Sequence, residues 1–320
     1  MTLFVYFRSG KFIEQLPCIF AMYFYMEGSR KIKLIDVDAI IGEKNPSLYR
    51  LLPRFVLSYI KKKIHQDFLN RGIEKYKDVY HLEFNTSALD WMGAQVSWTG
   101  EENIPVSGGV IVCSNHPLGG LDGMALIKAV SSRRKDIRFL VNDILTNFEN
   151  FQSLFVAVNK VGSNTKEALR VIDEVYAGNE AVLVFPAGLV SRKQQGKIKD
   201  LEWKKSFIAK AVETRKDVVP VFIDGKNSDF FYNFALWRKR LGIKANIEMF
   251  FLPDEMVNQK GKFIRITIGR PIPWQIFDRS YTPLYWAQLV REFVYQLKEN
   301  PAADFSGFIR EHSRIENRHE

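Results

Sequence analysis

Cysteine and histidine are scarce in this sequence of 320 residues, which contains two cysteines and five histidines. Two thiols are too few for a disulfide framework, and no His and Cys cluster has the spacing that binds zinc. We therefore expect no metal site. Cys113 lies within the apolar run Gly109–Cys113, a pattern typical of a small buried residue. A reducing compartment is compatible with this cysteine usage.

Long uncharged apolar segments are missing as well. The apolar run Leu16–Met26 is about half as long as the ~20 residues that a helix needs to cross a bilayer. Two basic residues precede it, as in a secretory signal, but Glu14 and the lack of a small-residue cleavage site count against one. We expect Met26 to be the natural start and residues 1–25 to be an upstream extension.

Acidic residues are too few to balance the basic ones. The chain has 46 Lys and Arg against 36 Asp and Glu, a formal net charge of +10. Such an excess suits a polyanionic partner, either nucleic acid or an anionic membrane surface. The basic residues are spread along the chain and form no recognisable nucleic-acid motif, so we expect no nucleic-acid partner.

Residues 34–70 are predicted to be helical, with Pro53 kinking the segment or starting a new helix. In Pro46–Gln66, apolar residues recur at three- and four-residue spacings between basic residues. Such a segment fits a lipid headgroup layer, or it packs on the protein's own core with a solvated basic face. We predict that residues 1–95 contain the N-terminal extension and a membrane-docking region at the cytoplasmic face of the cell membrane. The residues expected to face lipid are Leu51, Phe55, Tyr59 and Lys61–Lys63.

From residue 96 onward, apolar runs of strand length alternate with helical patterns. The strand candidates are Gly109–Ser114, Phe139–Val141, Phe155–Val158, Ala181–Phe185, Val218–Ile223, Ile247–Leu252 and Phe263–Ile268. The helical stretches are Asp122–Arg134, Asn164–Tyr176, Glu202–Thr214 and the closing segment 282–315. This alternation predicts an α/β domain over residues 96–320, with a mostly parallel central sheet covered by helices and a helical N-terminal lead.

The segment Ser114–Gly123 combines a histidine and an aspartate around a Gly-Gly turn. It follows a strand and precedes a helix, where α/β folds place ligands. The flexible turn lets His116 and Asp122 meet, so that Asp122 orients the imidazole while the other ring nitrogen removes a proton from a hydroxyl. The pair has no serine of its own, so the substrate would supply the nucleophile. In the alternative interpretation Asp122 is a helix N-cap and His116 a turn residue.

Three further blocks stand in a fixed order after this segment. Leu154–Ser163 ends a strand on Asn159 and Lys160, Ala181–Arg192 continues from a strand into a Gly188 turn, and Val218–Gly225 is a strand containing a proline. Together, over about residues 96–270, the four blocks resemble the glycerolipid acyltransferase family, whose type members acylate lysophosphatidic acid. The long His–Asp loop and Phe185–Gly188 resemble its hemolysin-like branch, which includes enzymes that acylate ornithine- or glycine-containing lipids.

This resemblance implies that His116 and Asp122 are the catalytic pair. It also implies a set of substrate-binding residues, namely Asn115, Asn159, Lys160, Gly188, Ser191 and Arg192. Ala187 and Val190 stand where the family usually has a glutamate and an arginine, and Arg192 is a shifted replacement for that arginine. Because forked arginine donors suit a phosphate monoester, their partial loss favours a singly charged acceptor.

The implied reaction moves a fatty acyl group from a thioester of acyl carrier protein or coenzyme A to the hydroxyl of a lyso-lipid, with no cofactor. Backbone amides near Gly188 are candidate donors to the oxyanion. The predicted acceptor is a lyso-aminolipid, N-(3-hydroxyacyl) glycine or ornithine, and the alternative is lysophosphatidic acid. A second alternative is an inactive lipid-binding protein, which a thioester-release assay would distinguish.

Overall fold

The computed structural model describes residues 35–44, 46–142, 145, 148–158, 166–243 and 246–316. Its centre is a seven-stranded sheet of order β1-β9-β8-β2-β5-β3-β4. Five neighbouring pairs run parallel, and β8 and β9 run antiparallel. The strands are β1 Gln95–Thr99, β2 Val110–Ser114, β3 Ile137–Asn142, β4 Phe155–Val158, β5 Ala181–Val184, β8 Val218–Asp224 and β9 Phe263–Ile268. The mostly parallel sheet predicted from the sequence is confirmed.

Helices cover both faces of this sheet. One face packs against α5 His81–Met92 and α6 Gly120–Val130, and the other against α7 Lys166–Ala177, α8 Ser206–Thr214, α11 Pro283–Gln296 and α12 Phe305–Glu316. The middle strands β2 and β5 are buried along their whole length. This double burial explains why they read as continuous apolar runs in the sequence. Cys113 is fully buried in β2, as predicted.

Four short helices form most of the described N-terminal part. They are α1 Val37–Lys44, α2 Pro46–Leu51, α3 Arg54–Lys63 and α4 Gln66–Lys75. Pro53 precedes the first residue of α3 in an extended conformation, so the predicted helix start at this proline is confirmed. A small separate core of aliphatic side chains, including Leu52, Leu57 and Ile60, holds these helices together. The predictions for Leu16–Met26 and for a start at Met26 concern residues outside the described ranges.

The prediction of a strand over Ile247–Leu252 is wrong. Ile247–Phe251 is a 3₁₀-helix that continues into α10 Leu252–Val257, and Pro253 with two acidic residues forms the first turn. Proline is well suited to a first helical turn, where its missing N–H has no partner to lose. The short strand β1 at the sheet edge, and the hairpin of β6 Arg192–Gln194 with β7 Lys197–Lys199, were not predicted.

The remaining helix between the sheet strands is α9 Asp229–Arg240. It begins at Ser228, whose hydroxyl accepts a hydrogen bond from the Phe231 amide. Within the described ranges, no helix has both the length and the apolar character that a bilayer span requires.

Candidate active site

His116 and Asp122 meet directly after β2, at the carboxyl end of the parallel strands. The His116 Nδ1 atom lies 2.9 Å from Asp122 Oδ2. Gly119 makes this possible, because its φ of +89° belongs to a backbone region that side chains disfavour. Gly119 is the N-cap of α6 and Asp122 lies in the first turn. Asp122 is therefore the third residue of the helix, and its carboxylate points back at the histidine loop.

The Asp122 carboxylate is completely buried. Besides His116, its Oδ2 atom accepts hydrogen bonds from the backbone amides of Leu118 at 2.7 Å and Gly119 at 3.0 Å. Burial raises the pKa of Asp122, while the His116 ring and these two amides act in the opposite direction. The two amides stabilise a carboxylate and fix its orientation toward His116.

The imidazole of His116 is held on a second side by an aromatic ring. It stacks on Phe185 with ring centroids 4.1 Å apart and planes within 15°, and Phe185 in turn meets Phe139 edge to face. The His116 side chain keeps 16% of its surface exposed. Among the described residues, no group hydrogen-bonds to its other ring nitrogen, Nε2. The ring is thus oriented through Nδ1 and through its face, with Nε2 available to a substrate.

Buried Asp200 fixes the backbone that carries His116. Its carboxylate accepts hydrogen bonds from the His116 amide at 3.2 Å, the Ser191 hydroxyl at 2.6 Å and the Trp203 indole at 2.9 Å. The Ser191 amide also donates to the His116 carbonyl at 2.7 Å. These contacts join the loop after β2 to the loop after β5. Nothing in the local sequence marks Asp200, because its partners lie up to 84 residues away.

Asn115 joins the same loop to the neighbouring strand β8. Its side-chain amide donates to the Ile223 carbonyl at 2.9 Å and accepts from the Ile223 amide at 2.7 Å. Asn115 is 2% exposed, so both ends of its side chain are used inside the protein. This geometry gives Asn115 a structural role, and its assignment to substrate binding stays a prediction.

Arg192 lies in a buried ion cluster. Its guanidinium donates to Glu248 Oε1 at 2.7 Å and to the Val190 carbonyl at 2.6 Å, and it lies over the Phe231 ring. Glu248 is fully buried and pairs at 2.7 Å with a second arginine, Arg238. Glu248 therefore engages the guanidinium that the sequence assigned to an acceptor, and it shares its single negative charge between two arginines. A glutamate inside the apolar run Ile247–Phe251 was the available signal for a buried ion pair, and it was missed.

Of the other predicted substrate-binding residues, the structure describes Gly188 and Ser191. Gly188 has a φ of +64°, and its amide donates to the Phe185 carbonyl at 2.9 Å within the turn after β5. Ser191 is buried against Asp200 and the His116 loop. Asn159 and Lys160 lie outside the described residues. The structure thus brings Gly188, Ser191 and Asn115 around the His116 loop.

Comparison with known proteins identifies close relatives of the chain. The family model described as "Acyltransferase" matches residues 39–303. A lyso-glycine lipid O-acyltransferase of Phocaeicola vulgatus is 44% identical over 267 residues, which are 83% of this chain and 96% of the relative. A protein of the same name from Bacteroides thetaiotaomicron is 45% identical over 266 residues, which are 82% of this chain and 97% of the relative.

Among solved structures, the 1-acyl-sn-glycerophosphate acyltransferase PlsC of Thermotoga maritima resembles the chain with a TM-score of 0.42. The identity is 21%, and the match covers 76% of this chain and 89% of that one. The family model spans well over half of the sequence, and the two lyso-glycine relatives align with it over nearly their full length. The chain belongs to the acyltransferase family and is an enzyme that transfers acyl groups.

Proposed function

We propose that this enzyme transfers a fatty acyl group from a thioester to the free hydroxyl of N-(3-hydroxyacyl)glycine, with His116 as general base. The observation that carries the proposal is the His116–Asp122 pair, whose buried carboxylate fixes one ring nitrogen while the other remains accessible. The names of the two relatives support glycine over ornithine in the acceptor. The reaction belongs to membrane lipid biosynthesis.

The chemistry follows from this geometry. His116 Nε2 takes the proton of the 3-hydroxyl as the oxygen attacks the thioester carbonyl, and Asp122 stabilises the resulting imidazolium. A tetrahedral intermediate forms and collapses, the C–S bond breaks, and the imidazolium returns its proton to the leaving thiolate. The products are an ester and a free thiol, so proton and acyl group are both accounted for.

The proposed donor is an acyl thioester of acyl carrier protein or coenzyme A. The net charge of +10 favours docking of an acidic carrier. The Gly188 amide already bonds to Phe185, so the oxyanion requires other donors in the same turn, such as the neighbouring backbone amides.

The charge around the site supports a carboxylate-bearing acceptor over a phosphate monoester. A phosphate with close to two negative charges needs forked, uncompensated arginine donors. Arg192 follows Ser191, whose amide bonds to the His116 carbonyl, and its guanidinium donates to buried Glu248. Lysophosphatidic acid is therefore the second candidate acceptor.

A paired assay tests the acceptor. Purified enzyme and acyl carrier protein thioester are combined with N-(3-hydroxyacyl)glycine in one reaction and with lysophosphatidic acid in another. We expect faster thiol release and ester formation with the glycine lipid. Faster turnover of lysophosphatidic acid would overturn the acceptor assignment. Thiol release with neither acceptor, from a folded protein, would instead support the inactive lipid-binding alternative.

We also propose that the enzyme works as a peripheral protein at the cytoplasmic face of the membrane. On α2 and α3, Leu51 is 45% exposed, Phe55 75% and Tyr59 52%. Phe55 and Tyr59 are one helical turn apart and share a face of α3 with exposed Lys62. An exposed apolar face with a cation beside it fits a headgroup layer.

A further inference from the structure

A second exposed aromatic surface lies on α9, far from α3 in the sequence. Phe230, Phe234, Trp237 and Leu241 follow the spacing i, i+4, i+7 and i+11, which puts them on one helix face. Phe230 and Trp237 are each 54% exposed and Leu241 is 55% exposed. The opposite face of the helix carries Phe231, Tyr232 and Ala235, which are buried. The exposed stripe is therefore additional to the core-facing side of α9.

Ring contacts connect this stripe to the N-terminal helices. Phe230 and Phe234 both meet Phe251 edge to face, at 5.0 and 5.3 Å between centroids. Phe250 meets Phe251 at 5.1 Å and packs against the aliphatic core of α1–α4. The pair Phe250–Phe251 thus connects the α9 stripe to the core on which α3 packs. We name the exposed residues Leu51, Phe55, Tyr59, Phe230, Trp237 and Leu241 the aromatic surface.

Contacts through Phe251 and α10 link the α9 stripe to the catalytic loop. Leu252, the residue after Phe251, packs closely on Gly119. A Cβ atom added at Gly119 would lie 3.3 Å from the Leu252 side chain. Met256, one turn further along α10, makes the corresponding contact with Gly120. One short helix thus connects the aromatic surface with the turn that brings His116 and Asp122 together.

Cations accompany the stripes on both helices. Lys62 shares the α3 face with Phe55 and Tyr59, and Arg240 lies beside Trp237 and Leu241 near the end of α9. Both are exposed, and neither has an ion-pair partner among the described residues. Aromatic side chains with adjacent cations match the boundary of an anionic membrane, where rings enter the headgroup layer and cations meet lipid phosphates. Association with a second copy would instead bring two cationic surfaces together.

We propose that α9 is a second membrane-docking element, which together with α3 seats the aromatic surface in the headgroup layer of an anionic leaflet. Both helices then contact the same leaflet, and α10 presents the catalytic loop toward it. The inference rests on the proposed peripheral location, but it is independent of which acceptor is acylated.

Vesicle cosedimentation tests the proposal without any substrate. The full chain is mixed with vesicles of phosphatidylcholine and phosphatidylglycerol, and the double variant Phe230→Gln/Trp237→Gln is compared with the wild type. We expect the partition coefficient to fall about tenfold or more, because two large apolar side chains lose their burial in lipid. The control Val106→Gln/Leu284→Gln changes two other exposed apolar residues, 65% and 40% exposed, and should bind like the wild type.

A variant that removes the two exposed cations tests the proposal independently of the aromatic residues. Lys62→Gln/Arg240→Gln should lower binding to the anionic vesicles by about fivefold for each charge removed, and should have little effect on vesicles of phosphatidylcholine alone. Arg133→Gln/Lys135→Gln removes the same charge after the end of α6 and should not reproduce the loss. Circular dichroism melts check that every variant is folded.

Three results would overturn the proposal: no binding by the wild type, undiminished binding by Phe230→Gln/Trp237→Gln, or an equal loss in the apolar control. The variant Phe55→Gln distinguishes the contribution of α3 to vesicle binding from that of α9. If Phe55→Gln weakens binding and the α9 variant does not, docking by α3 stands and docking by α9 falls. Acyl transfer measured on a detergent-dispersed acceptor stays unchanged in the α9 variant, which separates docking from chemistry.

Discussion

At the level of single residues, the ionised Asp122 carboxylate supports catalysis, but its burial lowers the stability of the fold. Its pKa is raised by burial, despite three hydrogen bonds to Oδ2. An acid with a folded-state pKa above its unfolded value favours the fold below the unfolded pKa and loses that contribution as pH rises through the folded pKa. Above its folded-state pKa, the ionised Asp122 therefore lowers the free energy of unfolding.

Asp122→Asn should separate the two effects. The neutral amide keeps an oxygen for the Leu118 and Gly119 amides but cannot stabilise an imidazolium, so we expect most acyl transfer to be lost. The melting temperature at pH 7 should equal or exceed that of the wild type, and any difference should shrink as the pH falls toward the ordinary aspartate pKa. A clear drop in melting temperature at pH 7 would contradict this account.

His116→Ala should lower the rate of acyl transfer by about 100- to 10,000-fold, the usual contribution of a general base. The fold should persist, because the contacts of His116 with Asp200 and Ser191 use its backbone. Thiol release from the donor is the measurement, with circular dichroism as the control for folding. Near wild-type turnover in the folded variant would remove His116 from the mechanism.

The sequence predicted the His116–Asp122 contact because a short Gly-Gly loop limits where the two side chains can go. The supporting residues were not predictable in the same way. Asp200 bonds to the His116 amide across 84 residues of sequence, and Glu248 bonds to Arg192 across 56 residues. Local spacing contains no information on such contacts, which depend on how separate loops converge at the sheet edge.

At the element scale, α3 carries its lysines in two different environments. Lys61 pairs with Asp38, and Lys63 donates to Asp254 at 2.8 Å, whereas Lys62 is exposed. The Asp254 hydrogen bond raises the pKa of Lys63. The run predicted to face lipid is therefore partly engaged in holding the N-terminal helices to each other and to α10.

Single substitutions should distinguish these lysines. Lys63→Glu places a carboxylate against Asp254 and should destabilise the protein by about 1–3 kcal/mol in a urea titration. Lys62→Glu should leave stability unchanged and weaken binding to anionic vesicles by about 1 kcal/mol or more. Equal effects of the two substitutions on stability would contradict the observed pairing.

Most elements were predictable from periodicity, because strands buried on both faces read as unbroken apolar runs. The same rule failed at Ile247–Phe251, where an apolar run of strand length forms a 3₁₀-helix. Its large side chains pack with other loops and helices, and Pro253 was the signal for a helix start that length alone concealed. The edge strand β1 was missed because only part of its surface is buried and its pattern is correspondingly weak.

At the scale of the whole molecule, the predicted division at residues 95 and 96 stays a prediction. Phe84 and Leu89, on the N-terminal side of it, are buried in the same core as β2 and α6. The family match from residue 39 to 303 also runs across it. Composition could predict a globular chain with a basic excess, and periodicity an α/β domain, but neither could predict how closely the first helices join the catalytic layer.

The position of β2 in the sheet determines how the enzyme loses activity. β2 lies between β5 and β8 with both edges paired and no exposed residue, and His116 follows it directly, tied by Ser191 and Asp200. Amide protons in such a strand exchange with solvent only when the whole domain opens. Urea should therefore abolish acyl transfer and global structure at one midpoint, with the β2 and Ser191 amides among the slowest to exchange. Activity lost at a clearly lower urea concentration would mean that the catalytic loop opens independently of the sheet.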